Sequence, residues 1–475
     1  MKEKTVGKRE YLSYGVGGFG KGLIDSFVSL FALIYFTDAA RLSPALGGVI
    51  IAVSKIAVML ILPFAGIKMD AGKSKYGRFR PYILWLSFVT AVVTAACFVS
   101  PTLYGLSDQA GKAIVCFVAY FLWELAFNLH DVPFWSLASV VSDSEKERSV
   151  FLSIANIVTT VAGAIPVVAV PFLLENFGET YGYLYGGLIF GFGGGVIAST
   201  AFFGTKERIT VKQDNVSLKD SFKAIVTTKP MLVFDLALLL SATVFSATEV
   251  STYAGKYLYE SADGFVLYPG GEKSFLPSEL FLPILIALAG GGLAVGDALF
   301  PVVFNKVGLK KSFYIFSTIS IVLCVIMFFV GYDKLGKASI FVFLTYYFVI
   351  GALGGTFDSM KSNLIPEVTD YSEWKTGIRR DGTFFSAQVM ISQLIESVPV
   401  LAVSIVLQIC GYSESEALST QPDSVRQGIF IAATLIPAAG IVLGFVPAAF
   451  YSYVGKLREK VKAELGEKRK EKNDG

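Results

Sequence analysis

The sequence predicts an all-α polytopic membrane protein with twelve transmembrane helices in two six-helix bundles. Of its 475 residues, 53% are hydrophobic and the mean hydropathy is +0.60, whereas a soluble domain is about 45–50% apolar. Apolar runs of about 20 residues recur along the whole chain, and each can cross roughly 30 Å of hydrocarbon. A polar connection separates six of these runs from the other six.

The spans follow from the apolar runs and the polar stretches between them. We expect spans at residues 11–36, 44–67, 81–100, 112–138, 150–174, 181–203, 231–255, 277–303, 312–332, 338–362, 383–410 and 427–454. The predicted organisation is an N-terminal bundle (1–203), a central cytoplasmic loop (204–230), a C-terminal bundle (231–454) and a basic cytoplasmic tail (455–475).

The distribution of positive charge predicts the orientation. The N-terminal tail, the even-to-odd loops and the C-terminal tail carry most of the 41 lysines and arginines. By the positive-inside rule, both termini are cytoplasmic in a cell membrane. The start of the chain is polar, so we expect no cleaved signal peptide. We expect the basic tail to be a solvated helix, and the aromatic external loop 256–278 to be either an ordered cap or a lid.

Asp131 and Trp135 lie in the middle of the fourth span. An ionisable residue at this depth costs roughly 2.5–3.5 kcal/mol on insertion scales unless it faces protein or a watery cavity. The i+4 spacing places both side chains on one helix face. A carboxylate can accept from two neighbouring hydroxyls, and an aromatic ring can cover the C–H face of a sugar. The pair therefore predicts a binding site for a polyhydroxylated ligand.

Other intramembrane charges allow several interpretations. Lys55 in span 2 is expected to pair with Asp131 or Glu124. Asp131, Asp25 and Glu124 are candidate proton carriers, because burial and nearby lysines change the proton affinity of a carboxylate in opposite directions. The only histidine, His130, points away from Asp131 and is expected to be a packed core residue. Three further acids lie within predicted spans, namely Asp358, Glu396 and Glu249. Asp235 lies near the cytoplasmic end of span 7, and we expect it to be solvated there.

The sequence gives little support for an enzyme. It has no paired-histidine metal motif, nucleophile elbow or phosphate-binding glycine loop on a strand. The four cysteines lie in or beside apolar runs without close pairing, which favours inert buried thiols. We therefore expect no cofactor, no metal site and no nucleic-acid partner; the expected partners are a small molecule and the lipid bilayer.

Four segments carry a family resemblance. They are residues 14–21 (YGVGGFGK), 75–82 (KYGRFRPY), 131–135 (DVPFW) and 370–382 (DYSEWKTGIRRDG). Together, and in this order, they resemble the glycoside–pentoside–hexuronide:cation symporters, the family of the melibiose permease within the major facilitator superfamily. The resemblance covers essentially the whole chain.

The resemblance implies a sugar site between the two bundles. Lys21, Asp131 and Trp135 match the family's binding residues. Gly22 stands where relatives have a sugar-binding Asp, and Asp25 can partly substitute for it one turn later. Asn156 matches an Arg position. In span 11, Gln388 is kept. Gln393 replaces a common Lys. Loss of these cationic positions favours a neutral glycoside.

The family's cation site is not preserved. Relatives that use sodium, lithium or protons carry two aspartates and an asparagine in span 2, at positions that are here Val58, Leu62 and Ile61. A sodium site of the family type therefore cannot form. An ammonium from Lys55 near Asp131 would take the place of the bound cation and permit uniport, whereas proton-coupled symport remains the alternative.

The resemblance also implies an inner gate formed by Asp70, Arg78 and Arg80, with residues 370–382 at the opposite edge. The predicted function is secondary transport of a glycoside, pentoside or short oligosaccharide by alternating access. Two alternatives stay open at this point. One is transport of a lysophospholipid or other amphiphile, as in an animal branch of the family. The other is a non-transporting sugar sensor.

Overall fold

The computed structural model describes residues 6–70, 74–142, 145–208, 227–377, 381–413 and 422–474. The chain forms two compact units. The first comprises Met1–Gln213 and Leu407–Pro422, and the second comprises Asp214–Val406 and Asp423–Gly475. The first unit thus includes the end of predicted span 11 and a short segment after it, in which Tyr412 donates a hydrogen bond to Asp38.

Seven α-helices and three other helical turns form the described part of the first unit. The helices are α1 (Lys8–Ile34), α2 (Pro44–Asp70), α3 (Arg80–Cys97), α4 (Gln109–Val141), α5 (Glu145–Leu188), α6 (Gly194–Ala198) and α7 (Thr200–Gly204). A π-helical turn extends α1 over Tyr35–Ala39, and another joins α5 to α6 over Ile189–Gly193. A 3₁₀ turn, Pro101–Tyr104, precedes α4. The Asp108 carboxylate accepts from the Gly111 N–H (2.6 Å) and so caps α4.

The long apolar segment Val150–Gly204 contains two of the predicted spans. It is one of eleven helical segments of the described residues that are long and apolar enough to cross a membrane. The helix turns at Gly178, whose φ of 70° and ψ of 172° are not helical, and glycine adopts this conformation at little cost. Predicted spans 150–174 and 181–203 lie on either side of this turn, which accounts for twelve spans.

Ten helices form the described part of the second unit. They are α8 (Lys229–Ser241), α9 (Ser246–Glu249), α10 (Ser251–Tyr253), α11 (Ser278–Val307), α12 (Leu309–Val330), α13 (Ala338–Thr376), α14 (Asp381–Ile409, ending in the first unit), α15 (Asp423–Ala433), α16 (Leu435–Ala449) and α17 (Gly455–Asp474). A 3₁₀ turn (Ala242–Phe245) and a π-helical turn (Ala254–Leu258) interrupt the predicted seventh span. Helices α11 and α13 pack closely along each other, and α8 packs against α16.

The predicted external loop 256–278 contains a small antiparallel sheet. Its strands are β1 (Ser261–Ala262), β2 (Phe265–Leu267) and β3 (Lys273–Pro277), in the order β1-β2-β3. Ser261 pairs with Val266 and Leu267 with Lys273. The sheet gives this loop an ordered backbone.

The C-terminal helix α17 exposes most of its described side chains, as expected for a solvated helix, but one side of it docks on the end of α13. Arg458 pairs with Glu367 through Nε (2.7 Å) and also through its second terminal nitrogen. Hydrogen bonding to this buried carboxylate raises the pKa of Arg458 above its usual value. Val461 in α17 is buried, and the Trp374 indole N–H donates to Glu464 (2.6 Å). The sequence pattern missed this contact because the tail is strongly polar apart from a few apolar side chains.

Candidate functional site

Lys21, Asp131 and Trp135 form a cluster in the first unit. The Lys21 ammonium lies 2.7 Å from Asp131 Oδ1, and the Trp135 indole N–H donates to the same oxygen at 2.7 Å. The i+4 spacing on α4 therefore places the tryptophan close enough to hold the carboxylate. Lys21 comes from α1, and sequence spacing alone could not predict its contact with α4.

The cluster is buried at its basic end and open at its acidic end. The Lys21 side chain is 6% exposed and the Asp131 side chain is 34% exposed. The Lys21 ammonium also lies 4.6 Å from the centre of the Phe127 ring and 5.6 Å from that of Trp135, in cation–π contacts. Lys21 and Trp135 both contact Oδ1 of Asp131, so among the described residues Oδ2 keeps its capacity to accept a hydrogen bond.

Close packing of α1 against α4 and α5 fixes the position of Lys21. The Tyr14 ring stacks between those of Phe134 and Phe151, at 4.6 and 3.9 Å between ring centres. Its hydroxyl donates to the Phe134 carbonyl oxygen at 2.9 Å. At Gly22, an added Cβ would lie only 2.3 Å from the Thr159 carbonyl oxygen. Any side chain at this position, including the aspartate of relatives, would require α1 and α5 to move apart.

Asp25 and Asn156 occupy different surroundings. Asp25 is half-buried and lies close enough to Lys21 for electrostatic attraction between the two side chains. It accepts a hydrogen bond from the Ser29 hydroxyl at 3.2 Å. Asn156 on α5 is exposed. Its carbonyl oxygen accepts from Thr160 (3.0 Å), but its side chain makes no hydrogen bond to Lys21 or Asp131.

The Lys55 side chain pairs with Glu124 rather than with Asp131. Its ammonium lies 3.9 Å from Glu124 Oε1, which also accepts from the Asn128 amide at 2.8 Å. The Glu124 side chain is almost fully buried, as is Val58 one turn beyond Lys55 on α2. The structure therefore selects one of the two partners that the sequence left open.

One of the two predicted gate arginines, Arg80, binds backbone groups. The Arg80 guanidinium donates to the Phe202 carbonyl oxygen at 2.6 and 3.1 Å. Glu207, which sequence reasoning missed, accepts from the backbone N–H groups of Arg78, Phe79 and Arg80 at 2.7–2.9 Å. This carboxylate stabilises the exposed N–H groups at the start of α3. The Asp70 side chain lies outside the described residues.

His130 is a packed residue with a hydrogen bond to α3. It is buried, and its Nε2 lies 3.0 Å from the Ser87 hydroxyl oxygen. That hydroxyl donates its proton to the Ile83 carbonyl oxygen at 2.7 Å. Because a hydroxyl has one proton to give, His130 Nε2 is the donor to Ser87.

In the second unit, Asp235 is buried rather than solvated, so that expectation is wrong. Asp235 on α8 and Gln388 on α14 are each 4% exposed. Gln393 lies further along α14 and is half-buried. Asp358 pairs with Lys361 at 2.5 Å, while Asp297 accepts from the Ser359 hydroxyl at 2.7 Å. Glu396 is exposed.

The described residues contain no group of three or more His, Cys, Asp or Glu side chains that could hold a metal ion. The four cysteines are free thiols, and Cys97, Cys116 and Cys324 are buried. The cluster around Asp131 instead combines hydrogen-bond acceptors, a neutralised cation and an aromatic face. It is suited to a small polar ligand.

Sequence comparison places the whole chain among transport proteins. The profile of the family described as MFS/sugar transport protein matches residues 13–454. An uncharacterized symporter of Bacillus subtilis, YjmB, is 26% identical over 98% of this chain and 97% of its own. The isoprimeverose transporter of Lactiplantibacillus pentosus is 25% identical, covering 98% and 92%. A putative sulfoquinovose importer of Salmonella typhimurium is 27% identical, covering 92% and 89%.

Solved structures share the fold. The chain superposes on the nucleoside transporter NupG with a TM-score of 0.65 and 13% identity, over 93% of this chain and 100% of that one. A bacterial homolog of the human lysosomal transporter Spinster gives 0.62 and 13%, covering 94% and 97%. At these identities the likeness concerns the fold alone.

Proposed function

Because the chain belongs to the MFS/sugar transport protein family, we propose that it carries a neutral glycoside, pentoside or short oligosaccharide across the cell membrane by alternating access. Both termini lie in the cytoplasm in this proposal, in keeping with the distribution of lysine and arginine. The relatives named above are symporters, transporters and importers, which supports transport over catalysis.

One observation carries the proposal: Asp131 is held by Lys21 and Trp135 through a single oxygen. Its other oxygen can accept from a sugar hydroxyl in a charge-assisted hydrogen bond. The half-buried Trp135 ring lies next to this acceptor and can cover the C–H face of the same sugar. Lys21 and Trp135 thus orient the carboxylate before the ligand arrives, which lowers the ordering cost of binding.

The charge of the cluster favours a neutral substrate. The Lys21 ammonium is neutralised by Asp131, and an uncharged asparagine stands at the position of the family's arginine, Asn156. A sulfonate or uronate would require a cation that is still available for pairing. A neutral disaccharide such as isoprimeverose therefore fits this cluster better than the anionic sulfoquinovose does.

The ion pair between Lys55 and Glu124 supports transport without sodium. A small cation needs several oxygen ligands, at least one of them charged. Val58, Ile61 and Leu62 provide none at the family's positions, and the ammonium of Lys55 already neutralises the acid on the facing helix. The proposed mechanism is therefore uniport or proton-coupled symport.

Uptake by proteoliposomes tests the proposal. Labelled isoprimeverose, sulfoquinovose and lysophosphatidylcholine are each offered to the purified, reconstituted protein, with and without sodium and pH gradients. We expect saturable uptake of the neutral sugar that is insensitive to sodium and lost in Asp131→Asn and Trp135→Leu. Asp333→Asn, an exposed acid, is the control. Sugar uptake unchanged in Asp131→Asn, or transport of the lipid alone, would overturn the proposal.

A further inference from the structure

Asp235 has no ion-pair or hydrogen-bond partner among the described residues, unlike three of the intramembrane acids described above. Asp131, Glu124 and Asp358 each lie next to a lysine. Neither carboxylate oxygen of Asp235 forms a hydrogen bond with any described residue. An ionised carboxylate in this position would be expensive, since burial removes its hydration and no positive charge compensates for it.

Gln388 is the polar neighbour of this carboxylate. The Gln388 side chain lies close enough to interact with the Asp235 carboxyl group, but no hydrogen bond of normal geometry joins the two side chains. Both polar atoms of the Gln388 amide, Oε1 and Nε2, also lack partners among the described residues. Four buried polar atoms on two adjacent side chains are therefore unsatisfied together, an arrangement that folded proteins rarely leave without an occupant.

Several charged side chains on the described helices around Asp235 have other partners. Helix α16, which packs along α8, contains no ionisable residue. On α13, Asp358 pairs with Lys361, and Glu367 with Arg458. On α12, the Lys310 ammonium donates to the backbone carbonyl oxygens of Ala449 and Tyr451 at 2.6 and 3.1 Å.

Two further titratable groups on or next to these helices are tyrosine hydroxyls. Tyr314 donates to the Phe445 carbonyl oxygen at 3.2 Å. The Tyr451 hydroxyl has no hydrogen-bond partner among the described residues, and its ring packs on Phe234, next to Asp235, at 5.0 Å. Neither hydroxyl can supply positive charge to a carboxylate.

A single proton satisfies all four atoms. The protonated carboxyl group can donate its O–H to Gln388 Oε1, while its carbonyl oxygen accepts from Gln388 Nε2. The ionised form can accept only from Nε2 and leaves Oε1 unsatisfied. Sodium fits less well, because it requires more oxygen ligands and the neighbouring side chains Phe234, Ala237 and Leu238 are apolar.

We propose that Asp235 and Gln388 form a proton-binding site in the second unit, separate from the Asp131 cluster, and that its occupancy couples transport to the pH gradient. A hydronium ion gives one proton to Asp235, the carboxylic acid pairs with the Gln388 amide, and water is released. When Asp235 is buried in this arrangement, its carboxyl group holds the proton. In a state in which water reaches Asp235, the carboxyl group releases the proton. Two states with different proton affinity provide the coupling free energy.

Infrared spectroscopy tests proton binding without a substrate. In lipid nanodiscs at neutral pH, the protein should show a carboxylic acid C=O band that shifts in D₂O. Asp235→Asn should remove this band, and Gln388→Leu should shift it because a hydrogen bond is lost. The control Asp333→Asn should leave it unchanged. Asparagine at 235 can form the same paired amide ring, so this variant is expected to fold. Absence of a band that depends on Asp235 overturns the proposal.

Transport measurements test whether proton binding at Asp235 is coupled to sugar uptake. With isoprimeverose as the probe, an inward proton gradient of one pH unit supports at most about tenfold accumulation for one proton per sugar. We expect the accumulation ratio to fall to about one in Asp235→Asn. Accumulation that persists in this variant, or that follows a sodium gradient in the parent protein, overturns the coupling. If the parent transports no sugar at all, the proposed function fails, and the infrared result still decides the proton site.

Discussion

Replacing Asp131 with asparagine separates the structural role of this carboxylate from its role in binding. The substitution removes the counter-ion that lies 2.7 Å from a nearly buried ammonium. Removing one partner of a buried pair costs about 3–5 kcal/mol, mainly because the remaining charge is left uncompensated. Asp131 is partly exposed and Asp25 lies close to Lys21, so we expect a loss of about 2–3 kcal/mol for Asp131→Asn.

The double variant Lys21→Met with Asp131→Asn provides the decisive comparison. It removes both charges, so the stability lost in Asp131→Asn should largely return. Sugar affinity should not return, because the charged acceptor for the hydroxyl is still missing. A hydrogen bond to a charged group contributes about 1.5–3 kcal/mol, which corresponds to a loss of about 10- to 150-fold in affinity.

Thiol exposure measures the stability of these variants. Cys97, Cys116 and Cys324 are buried free thiols, so a thiol-reactive dye reports unfolding. Cys410 is partly exposed and is replaced by serine in every variant to lower the background. We expect a fall in the unfolding temperature of about 5 °C for Asp131→Asn, and little change for Asp333→Asn. Equal destabilisation of the single and double variants, or recovery of binding in the double variant, would refute this reasoning.

Three further changes test neighbouring contacts. Lys55→Met should lower stability by about 3 kcal/mol, since Glu124 loses its counter-ion. Adding Glu124→Gln to this variant should restore the stability. An unfolding temperature of the parent protein that depends on sodium would contradict the assignment of Lys55 as the partner of Glu124. Glu207→Gln should cost about 1–2 kcal/mol in the same melting assay, because three backbone N–H groups lose a charged acceptor. Arg458→Met should release α17 from the Glu367 carboxylate, and hydrogen exchange in α17 that matches the parent would argue against docking by this pair.

Local sequence patterns predicted much of the fold. Runs of apolar residues identify helices that must satisfy their backbone hydrogen bonds internally within a membrane, and the twelve-span architecture and the family resemblance are both confirmed. A boundary between spans 150–174 and 181–203 was predicted. In the structure, the non-helical residue Gly178 lies at this boundary, and helix continues on both sides of it. The sheet in residues 256–278 was not predicted, because its strands are only two to five residues long.

The candidate site was likewise predicted only in part from the sequence. The i+4 relation of Asp131 and Trp135 is local, so the sequence placed both on one face. The partners of Lys21 and Lys55 depend on how helices pack, and spacing within one helix contains no such information. Asp235 was predicted to be solvated from its distance to the end of the span, but neighbouring helices bury it. The cap formed by Glu207 on α3 likewise joins residues about 130 positions apart.

The charges of the first unit lead to a last prediction, about membrane potential. Glu124 and Asp131 lie two turns apart on α4, and each is paired with one lysine. The two pairs are neutral, and a neutral sugar adds no charge to them. If Asp235 carries the coupling proton, each turnover therefore moves one positive charge inward. An inside-negative potential imposed by a potassium gradient and valinomycin should then drive accumulation, about tenfold for each 60 mV. Asp235→Asn should not respond. Accumulation driven by pH but indifferent to potential would mean that a compensating charge moves with the proton.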